Sequence, residues 1–204
     1  MTTTVPALRD LDGPALGKTE DEGGLSMPLM GTVLFIASEI MFFSTLLGSY
    51  YVLRSVNNPW PPEGLPTLDV VLPIILTLML LTSSVTAHGA IWGIRNDNRT
   101  VFVTSLALTM LLGAMFLVGE IFDAVNLDFD FGSHGAYGSI FFTILGFHAL
   151  HVLGGVIFFS YQTFAGMVGG FSSRNYQAVE CGVWYWHFVD VVWIFVFFTL
   201  YVVR

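Results

Sequence analysis

The chain has 204 residues, 54% of them hydrophobic and only 11% charged. A soluble domain carries about 25% charged residues, so a soluble enzyme is excluded, and a disordered chain with it, because disorder needs low hydrophobicity and high charge. The net charge of -8 argues against nucleic acid as a partner, and the single Cys181 excludes an internal disulfide or a multi-cysteine metal centre.

What remains is an all-α, polytopic membrane protein. Residues 1–26 hold Asp10, Asp12, Glu20, Asp21 and Glu22 beside Arg9 and Lys18, and are expected to form a flexible, solvated tail rather than a signal peptide. The transmembrane domain is expected over 27–204. A hydrocarbon core about 30 Å thick takes roughly 20 apolar residues in helix. Five segments are long enough, at about 27–53, 69–94, 100–122, 135–167 and 179–203. The fourth exceeds a simple span and is expected to tilt or project into water. The runs are continuous rather than alternating, which disfavours a β-barrel.

The connections are short. Residues 54–68 contain Pro59, Pro61, Pro62 and Pro66, so they are not helical throughout. Residues 95–99 form a polar turn. Residues 123–134 carry Asp123, Asp128 and Asp130 without a basic residue. Arg9, Lys18, Arg95, Arg99 and Arg174 fall on one side and only Arg54 and Arg204 on the other. This predicts a cytoplasmic N-terminus and, after five spans, an outer C-terminus.

Ionisable groups within spans are costly and face the bundle interior. Glu39 lies mid-span in the first helix and His88 in the second. Glu120 lies near the end of the third, and His148 and His151 are mid-span in the fourth. The fifth carries Glu180 near its start, then His187 and Asp190. Glu39 reads either as a proton-linked carboxyl or as a structural acid bonded to a histidine of a neighbouring helix. His148 and His151, spaced i, i+3, share a helical face. His187 and Asp190 have the same spacing and read as an internal hydrogen-bonded pair, and His148, His187 and Asp190 together as an interhelical polar cluster. A metal site is not expected, because no open ligand set with Cys or clustered carboxylates is evident, and no catalytic residue is assigned. Trp184, Trp186 and Trp193 are expected to pack helices or mark the interface. A standalone proton-linked transporter and a membrane haem or metal enzyme are the readings from other function classes.

Several motifs resemble those of subunit III of haem–copper cytochrome c oxidase. They are Ser38-Glu39-Ile40-Met41-Phe42-Phe43, the loop Trp60-Pro61-Pro62-Glu63-Gly64, His88 after an alanine, and Glu120 before the outer loop. Gly146-Phe147-His148-Ala149-Leu150-His151-Val152 and Trp184-Tyr185-Trp186-His187-Phe188-Val189-Asp190-Val191-Val192-Trp193 complete the set, in the family's order. The resemblance covers nearly everything after the tail. It implies a subunit without haem or copper of its own, those metals belonging to subunits I and II. The complex would oxidise cytochrome c, reduce oxygen to water and move protons. This subunit would flank subunit I in a bacterial plasma membrane and support proton uptake from the inner side. Full-length members have seven helices with phospholipid in a cleft between the first two and the other five, and this chain is similar to the five. Quinol oxidases and nitric oxide reductases carry related subunits, and the Trp60–Gly64 loop together with Glu39 points to the cytochrome c branch.

Overall fold

The computed structural model describes residues 26–65 and 68–203. The expectation of a flexible tail falls almost wholly outside them. Among the described residues, five helices are long and apolar enough to cross a membrane. They are α1 (Met27–Val56), α2 (Val71–Arg95), α3 (Arg99–Val125), α4 (Ala136–Met167) and α5 (Gln177–Phe197), the last continuing through a π-helical segment, Phe198–Val203. The ends differ from the sequence expectation by a few residues, and local chemistry explains two of them. The Asp69 carboxylate accepts from the Val71 backbone N–H at 2.9 Å, and the Asn98 side chain accepts from Val101 N–H at 3.1 Å. Each satisfies a donor that the first turn of a helix leaves open.

The helices α2 and α3 form an antiparallel hairpin closed by a very short turn. Its closeness requires Gly93, where a Cβ would lie 2.6 Å from the Phe102 backbone nitrogen. Further along, α4 packs on α3, and α5 lies against α2 and α4. The first helix packs on α4 and α5 and buries only Phe43 and Tyr50 fully.

Lipid is as apolar as leucine, so close packing and interhelical hydrogen bonds must hold such a bundle together. Trp186 of α5 supplies both. It is fully buried. Its indole ring occupies notches in two other helices, since a Cβ on Gly113 of α3 would come within 2.5 Å of the ring and one on Gly155 of α4 within 2.6 Å. Its Nε1–H donates to Ser83 Oγ of α2 at 2.9 Å. Two turns later Trp193 Nε1–H donates to Thr77 Oγ1 of α2 at 2.8 Å, and its ring meets Phe116 edge-on at 4.8 Å. Trp184 stands apart, turned outward on the same helix.

Polar contacts close both ends. At the end where α1 begins, Arg95 of α2 pairs with Glu180 of α5 at 2.9 Å, and Arg99 of α3 donates to the Gly166 carbonyl of α4 at 3.1 Å. At the opposite end Tyr201 donates to Asp123 at 2.8 Å, and Arg54 donates to the Val203 carbonyl at 2.9 Å. Trp60 donates to the Tyr50 hydroxyl at 3.2 Å, which folds the proline-rich loop back over α1.

Filling either notch displaces Trp186 from its slot. Gly155→Leu is expected to destabilise the bundle by about 1–3 kcal/mol, the usual cost of overpacking a core. Thermal unfolding in detergent, followed by tryptophan fluorescence, checks this, with Gly146→Leu as the control because a Cβ at Gly146 meets nothing.

Candidate functional site

The eight candidate residues sort into separate interhelical contacts. Glu39 of α1 and His151 of α4 meet at 2.9 Å, Oε2 to Nε2, both half-buried. The other ring nitrogen, His151 Nδ1, lies 2.7 Å from the Phe147 carbonyl. A carbonyl only accepts, so Nδ1 carries hydrogen. The Nε2 contact then needs one further proton, on the imidazole or on the carboxyl. The pair therefore holds a single shared proton as neutral acid with neutral imidazole, or as carboxylate with imidazolium. Tyr185 of α5 donates to the His151 carbonyl at 2.9 Å, and Phe43 meets the imidazole edge-on at 4.9 Å.

Glu120 of α3 and His148 of α4 form the second pair, at 3.3 Å and almost wholly enclosed. Phe116 and Trp193 flank the imidazole, with ring centres 5.8 and 4.8 Å away. Glu120 Oε2 and His148 Nε2 make no hydrogen bond. The i, i+3 histidines of α4 thus serve different neighbours. Three residues of helix leave side chains about 60° apart, enough for His148 to reach α3 while His151 reaches α1.

The remaining residues line the seam between α2 and α5. Ser84 Oγ of α2 lies 2.5 Å from His187 Nδ1. Asp190 is buried, and its carboxylate makes no hydrogen bond to His187. The expected internal His187–Asp190 bond is therefore not formed. Nor do His148, His187 and Asp190 make one hydrogen-bonded cluster, because His148 bonds into α3 whereas His187 bonds into α2. His88 is exposed and shares an indentation with His187, Arg95, Glu180, Ile91, Val183 and Trp184. The Arg95–Glu180 pair is part of its lining, a partly exposed ion pair of the kind that contributes ~0–1 kcal/mol.

Sequence reasoning missed the hydroxyls. Thr77, Ser83 and Ser84 of α2 receive Trp193, Trp186 and His187, and Thr86 bonds Thr109 across α2 and α3 at 2.7 Å. The signal was a run of hydroxylated residues along one span, but such residues commonly bond to their own helix. Among the described residues, no three His, Cys, Asp or Glu side chains are placed to hold a metal ion.

The comparisons with known proteins agree over nearly the whole chain. The family described as Cytochrome c oxidase subunit III matches residues 21–203. The protein named "Probable cytochrome c oxidase subunit 3" of Nocardia farcinica is 36% identical over 183 residues, which is 88% of this chain and 89% of the relative. Cytochrome c oxidase subunit 3 of Synechocystis is 33% identical over 180 residues, 88% of this chain and 77% of the relative. The protein of the same name from Danio rerio is 37% identical over 177 residues, 84% of this chain and 67% of the relative. The chain belongs to the cytochrome c oxidase subunit III family and is a multi-pass membrane subunit of an oxidase complex.

Proposed function

We propose that this chain flanks subunits I and II of a cytochrome c oxidase in a bacterial plasma membrane, and that Glu39 and His151 act together as a proton-holding pair that serves proton uptake. Haem and copper sit in the partner subunits, cytochrome c is the electron donor of the complex, and this chain contributes no catalytic residue of its own. The observation that carries the proton role is the geometry at His151, where a carbonyl on one nitrogen and a carboxyl on the other leave one proton shared within the membrane. The names of the relatives support the partners.

Membrane orientation follows the basic residues. Among the described residues Arg95, Arg99 and Arg174 lie at the end where α1 begins, against Arg54 at the other. This favours a cytoplasmic N-terminus and an outer C-terminus. The apolar groove of ≈ 550 Å³ between α1 and α5, lined by Ile36, Ile40, Phe43, Val191 and Phe195 among others, suits a phospholipid acyl chain. The second pair, Glu120 with His148, is almost wholly enclosed and serves structure.

Purification in mild detergent is expected to recover a haem–copper subunit I, seen by mass spectrometry and by the haem spectrum. Isolation of the chain without any haem protein would overturn the assignment of partners.

Glu39→Gln and His151→Phe are each expected to leave the complex assembled and to slow turnover-linked proton uptake by about tenfold, the effect of roughly 1.4 kcal/mol on a barrier. The double variant should be no slower than either single one, because the residues act as a unit. Stopped-flow pH-indicator measurements check this, and unchanged uptake in both singles would leave the pair with a structural role only.

His148→Leu strands Glu120 without its partner and is expected to cost about 3–5 kcal/mol, most of it regained in Glu120→Leu/His148→Leu. Retention of the subunit in the complex during heating measures both.

A further inference from the structure

One side of α5 carries a strip that the Glu39–His151 pair does not touch. Glu180, Trp184, His187, Val191 and Phe195 stand at i, i+4, i+7, i+11 and i+15, which places them along a single helical face. Trp184, Val191 and Phe195 are exposed. Two hollows lie along the strip and adjoin at His187, which lines both. The first, of ≈ 420 Å³, is bordered by His88 and Arg95 of α2 with Glu180 and Trp184 of α5. The second, of ≈ 550 Å³, is the apolar groove between α1 and α5 that reaches Phe195.

The first hollow is charged but balanced. Arg95 is the last residue of α2, and Glu180 lies in the first turn of α5. Both therefore sit at the membrane surface, and the exposed Trp184 one turn later is of the type that marks that level. Their bond joins one guanidinium nitrogen, Nη2, to one carboxylate oxygen, Oε1. A guanidinium has five donors and a carboxylate two oxygens. The two side chains are 53% and 21% exposed, so each keeps capacity for a ligand.

The length of the strip is that of one lipid. From Glu180 to Phe195 the helix rises about 22 Å. One leaflet with its headgroups is about 20–22 Å thick, half of a whole bilayer. A balanced pair of charges thus stands at headgroup level, and an apolar groove follows it to the depth of the bilayer midplane.

We propose that this strip binds one zwitterionic phospholipid of the ethanolamine class, with its phosphate on Arg95, its ammonium on Glu180 and an acyl chain in the α1–α5 groove. The assignment deepens the acyl-chain reading of that groove and rests on it for the tail. The charges select the headgroup. An anionic lipid with a neutral headgroup would bring its phosphate beside Glu180 with no cation to offset it. A choline headgroup presents methyl groups where an ammonium presents N–H donors, and only the latter make charge-assisted hydrogen bonds to a carboxylate. The site shares no residue with the Glu39–His151 pair.

The test takes the intact oxidase complex, stripped of lipid in detergent and reloaded from micelles containing equal phosphatidylethanolamine, phosphatidylcholine and phosphatidylglycerol. Native mass spectrometry counts the lipid retained by wild type, Val191→Trp and Glu180→Gln. Val191→Trp enlarges an exposed side chain, fills the groove and leaves the charged pair in place, so the lipid it loses relative to wild type is the lipid of the strip. That lipid should be phosphatidylethanolamine in about tenfold excess over each of the others, the worth of one charge-assisted hydrogen bond. Glu180→Gln should keep the lipid and erase its preference over phosphatidylcholine. Equal loss of the three lipids in Val191→Trp would overturn the headgroup assignment and leave the acyl-chain reading standing, as would an unchanged preference in Glu180→Gln. Retention in Val191→Trp equal to that of wild type would overturn both.

Discussion

The bundle depends on one tryptophan filling a slot that three other helices build for it. Trp186 brings the largest side chain of the genetic code to a place where α3 and α4 offer only hydrogen atoms, at Gly113 and Gly155, and α2 offers a hydroxyl, at Ser83. In water the hydrophobic effect would hold such a ring almost anywhere in a core. In lipid the gain comes from shape and from the one N–H that must find an acceptor. The slot therefore fixes rotation and depth of α5 at once. The positions of His187 and Asp190 on its α2-facing side follow from it, as does that of Trp193 beside His148.

Hydrocarbon supplies no substitute for a missing hydrogen bond, and this explains why the buried acids are distributed as they are. Glu39 of α1 and Glu120 of α3 each meet a histidine of α4. α4 presents two histidines to two different neighbours, and its spacing of three residues makes that possible. The third acid, Asp190, is buried in α5 without a histidine partner.

Much of this was legible in the sequence, and the limits have physical causes. Spans are readable because a membrane imposes a length and an apolar composition, and two of their shifted ends lie where Asp69 and Asn98 cap α2 and α3. Residues belonging inside the bundle were readable because charge at membrane depth is costly. Their partners were not. His148 and His151 look equivalent on a helical wheel, and only the placement of α3 and α1 on either side of α4 divides them. His187 and Asp190 have the spacing of a bonded pair, yet Ser84 of another helix takes the histidine. Pairing between spans depends on rotation and depth, and neither leaves a local trace in the chain.

Among the five described helices, α1 rests mainly on α4 and α5. Because α1 packs against α4 and α5 and buries little of itself, it has no docking surface while only α2 and α3 have followed it into the membrane. Glu39 must wait for His151, and Arg54 for the carbonyl of Val203 almost at the end of the chain. At this seam the contacts of α1 form after those of the helices that follow it, and an unclosed α1, with an unpaired acid in lipid, marks a chain in which α4 has not yet docked.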